Sequence, residues 1–161
     1  MKDTIVIRGG GDLATGVVQK FYRAGFAVVV LETGRPMAIR RTVALCEAVY
    51  EGTATVEDIP CRHIESPAQA AECHQNGIVP LLVDPAGESL GFFKPQGLVV
   101  AILAKKNLGT TLNMAPVTIG LGPGFAAGQD VHAVIETMRG HNLGRLILQG
   151  SAQPNTGIPG E

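Results

Sequence analysis

Gly9-Gly10-Gly11, followed by Asp12-Leu13-Ala14, is the stretch whose residue types point most directly to chemistry. Read as Gly9-x-Gly11-x-x-Ala14, it follows a β-branched run and opens an amphipathic one, the context in which such a loop holds a pyrophosphate. Each position has its own reason. Glycine at 9 allows a tight turn, glycine at 11 lets backbone approach phosphate without a Cβ between, and Ala14 lets helix pack closely on strand. The N-terminus of the following helix adds N–H groups without helical partners and the positive end of a dipole, so Asp12 and Leu13 fall within the same predicted site. Glu32 lies about 20 residues further on, where an acid accepts hydrogen bonds from an adenosine ribose and repels a 2′-phosphate. NAD-like ligands are favoured over NADP-like ones on that ground. The same glycines would also suit a turn that binds nothing, with Glu32 simply solvated.

A second cluster, Gly120-x-Gly122-x-Gly124, also follows an apolar run, and Pro123 stiffens it. Gly122 and Gly124 can supply positive φ and form an anion-binding nest, or the loop can be a purely structural turn. His132 and Glu136 stand four apart on a helix expected over residues 130–138 and share a face there. Such a pair polarises a ligand or is a hydrogen-bonded surface pair; with no third ligand beside it, no metal site is predicted. Lys105-Lys106-Asn107 comes at the exit of an apolar strand, at the carboxyl edge where functional groups gather. His132 and Lys105 are therefore the candidate proton donors, and no catalytic role is fixed. Arg40 and Arg41 are candidate phosphate contacts. Cys46, among Val43, Leu45 and Val49, reads as core packing and carries no mark of a reactive thiol.

These residues need a scaffold, and the periodicities supply one. Strands are expected at Thr4–Arg8, at residues 27–31 closing on Glu32, at 79–83, at 98–103, at 117–119 and at 145–148. Helices are expected from Asp12, acting as cap, to Arg23, with Leu13, Val17, Val18 and Phe21 on one face. Further helices are expected over 40–50, from Ser66-Pro67 to Gln75, and over 130–138. Residues 53–65 are ambiguous, with a short strand near Arg62-His63-Ile64. Strands alternating with helices predict an α/β, Rossmann-like, mostly parallel and doubly wound sheet. One domain over residues 1–150 is expected to bind the nucleotide. Residues 151–161, rich in Gly, Pro and Asn, read as a tail or the start of a further region, and truncation is the favoured account of that ending.

Composition narrows the function classes. The 161 residues are 45% hydrophobic but only 4% aromatic, so the core is aliphatic, as parallel sheets prefer. Thirteen basic against fourteen acidic side chains leave a net charge of −1, with no basic field for nucleic acid and no polybasic membrane patch. No apolar run approaches the roughly 20 residues that cross a bilayer. Three cysteines, Cys46, Cys61 and Cys73, show no CxxC spacing; their odd count and the absence of a signal peptide favour reduced thiols and a cytoplasmic location.

Longer stretches carry a resemblance. Residues 7–16 (IRGGGDLATG), Arg40-Arg41-Thr42-Val43 and residues 47–52 (EAVYEG) resemble YqeB-type accessory proteins of selenium-dependent molybdenum hydroxylases. So do residues 104–110 (AKKNLGT), 120–125 (GLGPGF) and 130–137 (DVHAVIET), then Arg139-Gly140-His141 and Pro154-Asn155-Thr156-Gly157. The likeness runs over nearly the whole chain, with a distant similarity to XdhC-like factors. It implies a role in maturation of a molybdenum hydroxylase, a hydroxylase subunit as partner, and a bound dinucleotide. That ligand is NAD or the dinucleotide form of molybdenum cofactor. It also implies a small C-terminal region beyond the Asn-Thr-Gly-x-Pro-Gly stretch. One departure is visible: an acid is expected shortly before Ala104, and Val99-Val100-Ala101 supplies none. Two other classes remain open, an NAD-dependent oxidoreductase and a non-catalytic interaction module with structural glycine loops. Self-association is open as well.

Overall fold

The computed structural model describes residues 2–103 and 106–154. The chain forms two compact units, Met1–Gln96 and Gly97–Glu161. Both are built on mostly parallel strands with helices or turns between them, as an α/β, Rossmann-like fold requires.

In the first unit, β1 (Thr4–Arg8) leads into α1 (Asp12–Arg23) and then β2 (Ala27–Glu32), the boundaries the periodicity predicts. Val6, Ile7 and Val28 to Val30 are almost wholly inaccessible. Burial without alternation means that both faces of these strands are covered, the condition a parallel sheet needs. A hairpin of β3 (Thr53–Val56) and β4 (Ile59–Ile64) follows, where the sequence is ambiguous. Ser66 and Gln69 form a reciprocal capping box over Pro67, and α3 (Ala70–Gln75) continues from it. Strand β5 (Val79–Val83) then inserts between β4 and β2, parallel to both. Chain order and sheet order thus part after β2: the order runs β3-β4-β5-β2-β1. A short helix, α4 (Leu90–Phe93), closes the unit and was not expected.

Residues 40–50 are not the continuous helix their spacing suggests. Two 3-10 turns, Arg41–Val43 and Leu45–Glu47, flank an extended Ala44, and only α2 (Ala48–Glu51) is α-helical. The reason is local. Cys46 N–H donates to the Gly10 carbonyl at 2.8 Å and Leu45 N–H to the Thr15 hydroxyl at 3.0 Å. Both donors that a helix would use are drawn to the glycine loop.

In the second unit, β6 (Gly97–Val100), β7 (Val117–Leu121) and β8 (Ala133–Ile135) run parallel, and β9 (Leu146–Ile147) returns antiparallel to β8. The helix expected over 130–138 is therefore a short strand with turns around it. Asp130 does not cap forward; its carboxylate takes the Ala126 N–H behind it at 3.0 Å. Ala133-Val134-Ile135 then pairs with residues 119–121, and short apolar runs do not distinguish the two outcomes by period alone. Among the described residues no helix is long and apolar enough to cross a membrane.

Candidate functional site

Because β1, β2, β4 and β5 are parallel, their carboxyl ends lie on one edge of the first unit's sheet. The glycine loop sits at that edge, where β1 ends. Gly9 has φ +106°, a conformation side chains disfavour, and its N–H donates to the Leu31 carbonyl at 2.7 Å. Gly10 is packed against Cys46: a Cβ there would meet the Cys46 backbone nitrogen and Cβ at 3.2 Å. Ala14 is 1% exposed, consistent with close packing of α1.

Gly11 differs from both. Its φ of −69° and ψ of −172° suit any residue, and a Cβ on it would meet nothing within 4 Å. Neither backbone geometry nor internal packing accounts for a glycine here. It is the N-cap of α1, a position the sequence assigned to Asp12, and it has no side chain with which to cap. Among the described residues the N–H groups of Gly11 and Asp12 find no acceptor. Asp12 instead bonds the Leu13 N–H at 2.9 Å, and Leu13 is 42% exposed rather than part of the buried helix face.

The loop is held from three sides. Glu32, half-buried at the end of β2, accepts the Gly10 N–H at 2.7 Å and the Thr33 N–H at 2.9 Å. A carboxylate has about four acceptor positions, so about two remain unfilled among the described residues. The Thr15 hydroxyl donates to the Gly11 carbonyl at 2.7 Å while accepting the Leu45 N–H. The third brace is the Cys46 contact already described. Arg40 approaches from the following loop, its Nε 3.9 Å from Asp12, in a largely exposed pair. Arg41 lies instead beside Glu47 and over the Tyr50 ring.

Burial pushes the Cys46 thiol up to about 11, with Glu32 and Glu47 adding to the shift, and Cys61 up to about 12. All three cysteines are buried and free. Cys46 is thus a packing group, as the sequence suggests.

The second glycine cluster has a different geometry. Gly120 lies inside β7, and a Cβ on it would enter the Phe125 ring at 2.5 Å. Gly122 has φ +80°, with Thr137 Oγ1 2.8 Å from its virtual Cβ. Gly124 has φ +102° and would meet the Lys106 backbone at 2.9 Å. The unit's own packing requires each of these glycines. The loop also joins strand to strand, so it has no helix N-terminus behind it.

His132 and Glu136 do not share a helix face. The His132 Nδ1 accepts the Thr118 N–H at 2.9 Å and lies 2.8 Å from the Thr118 hydroxyl, which places the proton of a neutral ring on Nε2. Glu136 is 3% exposed, and both its oxygens face the Gln153 N–H. Lys105 lies outside the described residues. Asn107 folds its own loop, accepting the N–H groups of Gly109 and Thr110. Val99 and Val100, where an acid is missing, are each 3% exposed within β6.

With this geometry in view, comparison with known proteins gives one informative match. The chain is similar to YqeB of Escherichia coli (strain K12), a protein described as uncharacterized. The two are 54% identical over 156 residues, which is 97% of this chain and 29% of YqeB. The chain thus spans less than a third of the relative it matches. No family model matches it, and no solved structure does.

Three further groups at the edge escaped the sequence reading. Thr15 was hidden as an ordinary helical residue, although a Thr four after the loop glycine can bond back to its carbonyl. Arg8 is 4% exposed and donates to the Pro85 carbonyl at 2.6 Å; burial lowers its pKa, with Asp84 opposing. Burial pushes the Asp84 carboxyl up. Hydrogen bonds from Ser89 and from the Glu88 and Gly87 N–H groups outweigh that and hold it below its ordinary value. Nothing in the spacing of Arg8 and Asp84 signals their approach.

Proposed function

We propose that the first unit binds the pyrophosphate of a dinucleotide at Gly9 to Leu13. In this reading the protein serves as a cytoplasmic accessory factor in maturation of a selenium-dependent molybdenum hydroxylase. The observation that carries the binding half is Gly11: a glycine with ordinary φ, open space over it and an unbonded N–H at a helix N-terminus. Such a position is best accounted for by something that comes close from outside. The residues fit a dinucleotide. Gly9 makes the turn, the Gly11 and Asp12 N–H groups face phosphate, and the free acceptor positions of Glu32 receive a ribose. NAD and the molybdenum cofactor dinucleotide both carry the needed pyrophosphate. The accessory role and the hydroxylase subunit as partner rest on the likeness of residues 7–16, 120–125 and 130–137 to YqeB-type proteins.

Mass spectrometry of ligands retained through native purification tests the identity of the nucleotide. The expected result is a pyrophosphate-containing dinucleotide with an unphosphorylated ribose. Calorimetry with NADP gives the converse check: affinity equal to that for NAD would remove Glu32 from the ribose site. Co-purification of a molybdenum hydroxylase subunit with the tagged full-length protein tests the partner, and its absence under conditions where the hydroxylase is being matured counts against that half.

A further inference from the structure

The second unit holds a cavity of about 380 Å³, within the usual range for small-ligand clefts. Its lining includes Glu136, Asn142, Arg145, Gln149, Ser151 and Gln153, around the antiparallel pair β8–β9. Glu136 follows the end of β8 and is 3% exposed. Its two oxygens share a single backbone donor, the Gln153 N–H, at 3.3 and 3.1 Å. Among the described residues no Lys, Arg or His nitrogen lies within ion-pair distance of it. Buried carboxylates are ordinarily paired, because taking the charge from water must be offset by donors or a cation. Among the described residues, this one shared N–H leaves most of the acceptor capacity of the carboxylate unfilled. Arg145 lines the same cavity, yet its guanidinium reaches Asn142 Oδ1 at 3.4 Å and not Glu136. The cavity therefore offers a hydrogen-bond acceptor on a buried wall and a cation on an exposed one.

We propose that this cavity binds a small ligand presenting two N–H donors on neighbouring nitrogens to Glu136, with an anionic group toward Arg145. Planar donor pairs engage a carboxylate in bidentate fashion, which supplies direction as well as strength. Two sources carry that chemistry: the N1–H and 2-amino edge of guanine in a nucleotide, and the guanidinium of an arginine with a free carboxylate. The site does not depend on the glycine loop of the first unit.

Calorimetry of the full chain with guanosine 5′-monophosphate, inosine 5′-monophosphate, L-arginine and L-lysine tests it. Saturable binding is expected for the guanine nucleotide or for arginine. The matched ligand lacking the paired donors, inosine monophosphate or lysine respectively, should bind at least tenfold more weakly. Which of the two binds identifies the source. Glu136→Gln keeps an acceptor for Gln153 but breaks the bidentate face, and should lose at least tenfold in affinity. If that variant fails to fold, Ser151→Trp decides, since it fills the cavity from an exposed wall residue while leaving Glu136 in place; it should abolish binding at unchanged melting temperature. Failure of both the nucleotide and arginine to saturate, or equal affinity in a folded Glu136→Gln or Ser151→Trp protein, would overturn the proposal.

Discussion

The two glycine clusters look alike in sequence and are unlike in structure. In the second, every glycine answers to the protein itself: Gly120 to the Phe125 ring, Gly122 to Thr137, Gly124 to the Lys106 backbone. In the first, Gly9 answers to its φ and Gly10 to Cys46, but Gly11 answers to nothing among the described residues. A glycine that the fold explains carries no message about ligands. Open space alone carries none either, since Gly16 and Gly91 also meet nothing within 4 Å; Gly11 adds an N–H without an acceptor among the described residues at a helix N-terminus, and this is why the proposed site rests on the first cluster.

Gly124→Ala gives the largest expected effect on stability. The new Cβ would sit 2.9 Å from backbone, at φ +102°. Strain at positive φ and overpacking each cost about 1–3 kcal/mol, so a loss of roughly 2–6 kcal/mol in urea unfolding is expected. The paired substitution Gly11→Ala should change stability by no more than about 1 kcal/mol, the scale of an altered N-cap. Equal losses at the two sites would erase the contrast.

Thr15→Val sharpens the same contrast from the other direction. It removes the hydroxyl between the Gly11 carbonyl and the Leu45 N–H without changing volume much. A buried donor left alone costs about 1–3 kcal/mol, and the glycine loop should loosen with it. Faster hydrogen exchange at Leu45 and Cys46, with no change at Gly122, is the expected signature. Uniform protection across both loops would show that the brace is unimportant.

Alkaline stability gives a gradual effect, carried by thiols of the first unit. Cys46 and Cys61 ionise near 11 and 12 in the folded protein against 9.0 for the ordinary thiol. Folded-state values raised in this way contribute stability that is fully present below about pH 9 and is lost as pH rises toward the folded values. Unfolding free energy should be flat up to about pH 9 and fall beyond it, and Cys61→Ala should flatten that fall even though it lowers stability at neutral pH. An unchanged alkaline slope in the variant would rule out the thiol as its source.

Much of this contrast was within reach of the sequence, and some of it was not. The β1–α1–β2 unit was legible to within a residue, because β-branched runs and an amphipathic stretch of 12 residues leave little choice of element. The helix start at Ser66-Pro67 was legible from residue types, a cap followed by Pro, whereas the reciprocal bond from Gln69 was not. Residues 40–50 misled because the groups that break the helix, the Gly10 carbonyl and the Thr15 hydroxyl, lie some 30 residues away in the chain. Residues 130–138 misled because three apolar residues fit a strand as well as a helix, and pairing with β7 decided the matter. In the candidate site, spacing singled out Glu32. Its bond to Gly10 was not, since only folding brings those two chain segments together.

The central claim is that Gly11 is glycine because a phosphate-bearing ligand lies against it. Calorimetric titration of NAD and of the molybdenum cofactor dinucleotide into wild-type and Gly11→Val protein tests it most directly, with circular dichroism to confirm the fold. A Cβ at this position meets nothing within 4 Å and the φ suits any residue, so the variant should fold with a stability loss of about 1 kcal/mol. The account predicts that the wild-type protein binds at least one of the two ligands and that the folded variant loses that binding by a hundredfold or more, roughly 2.7 kcal/mol. Unchanged affinity in a folded Gly11→Val protein would contradict it.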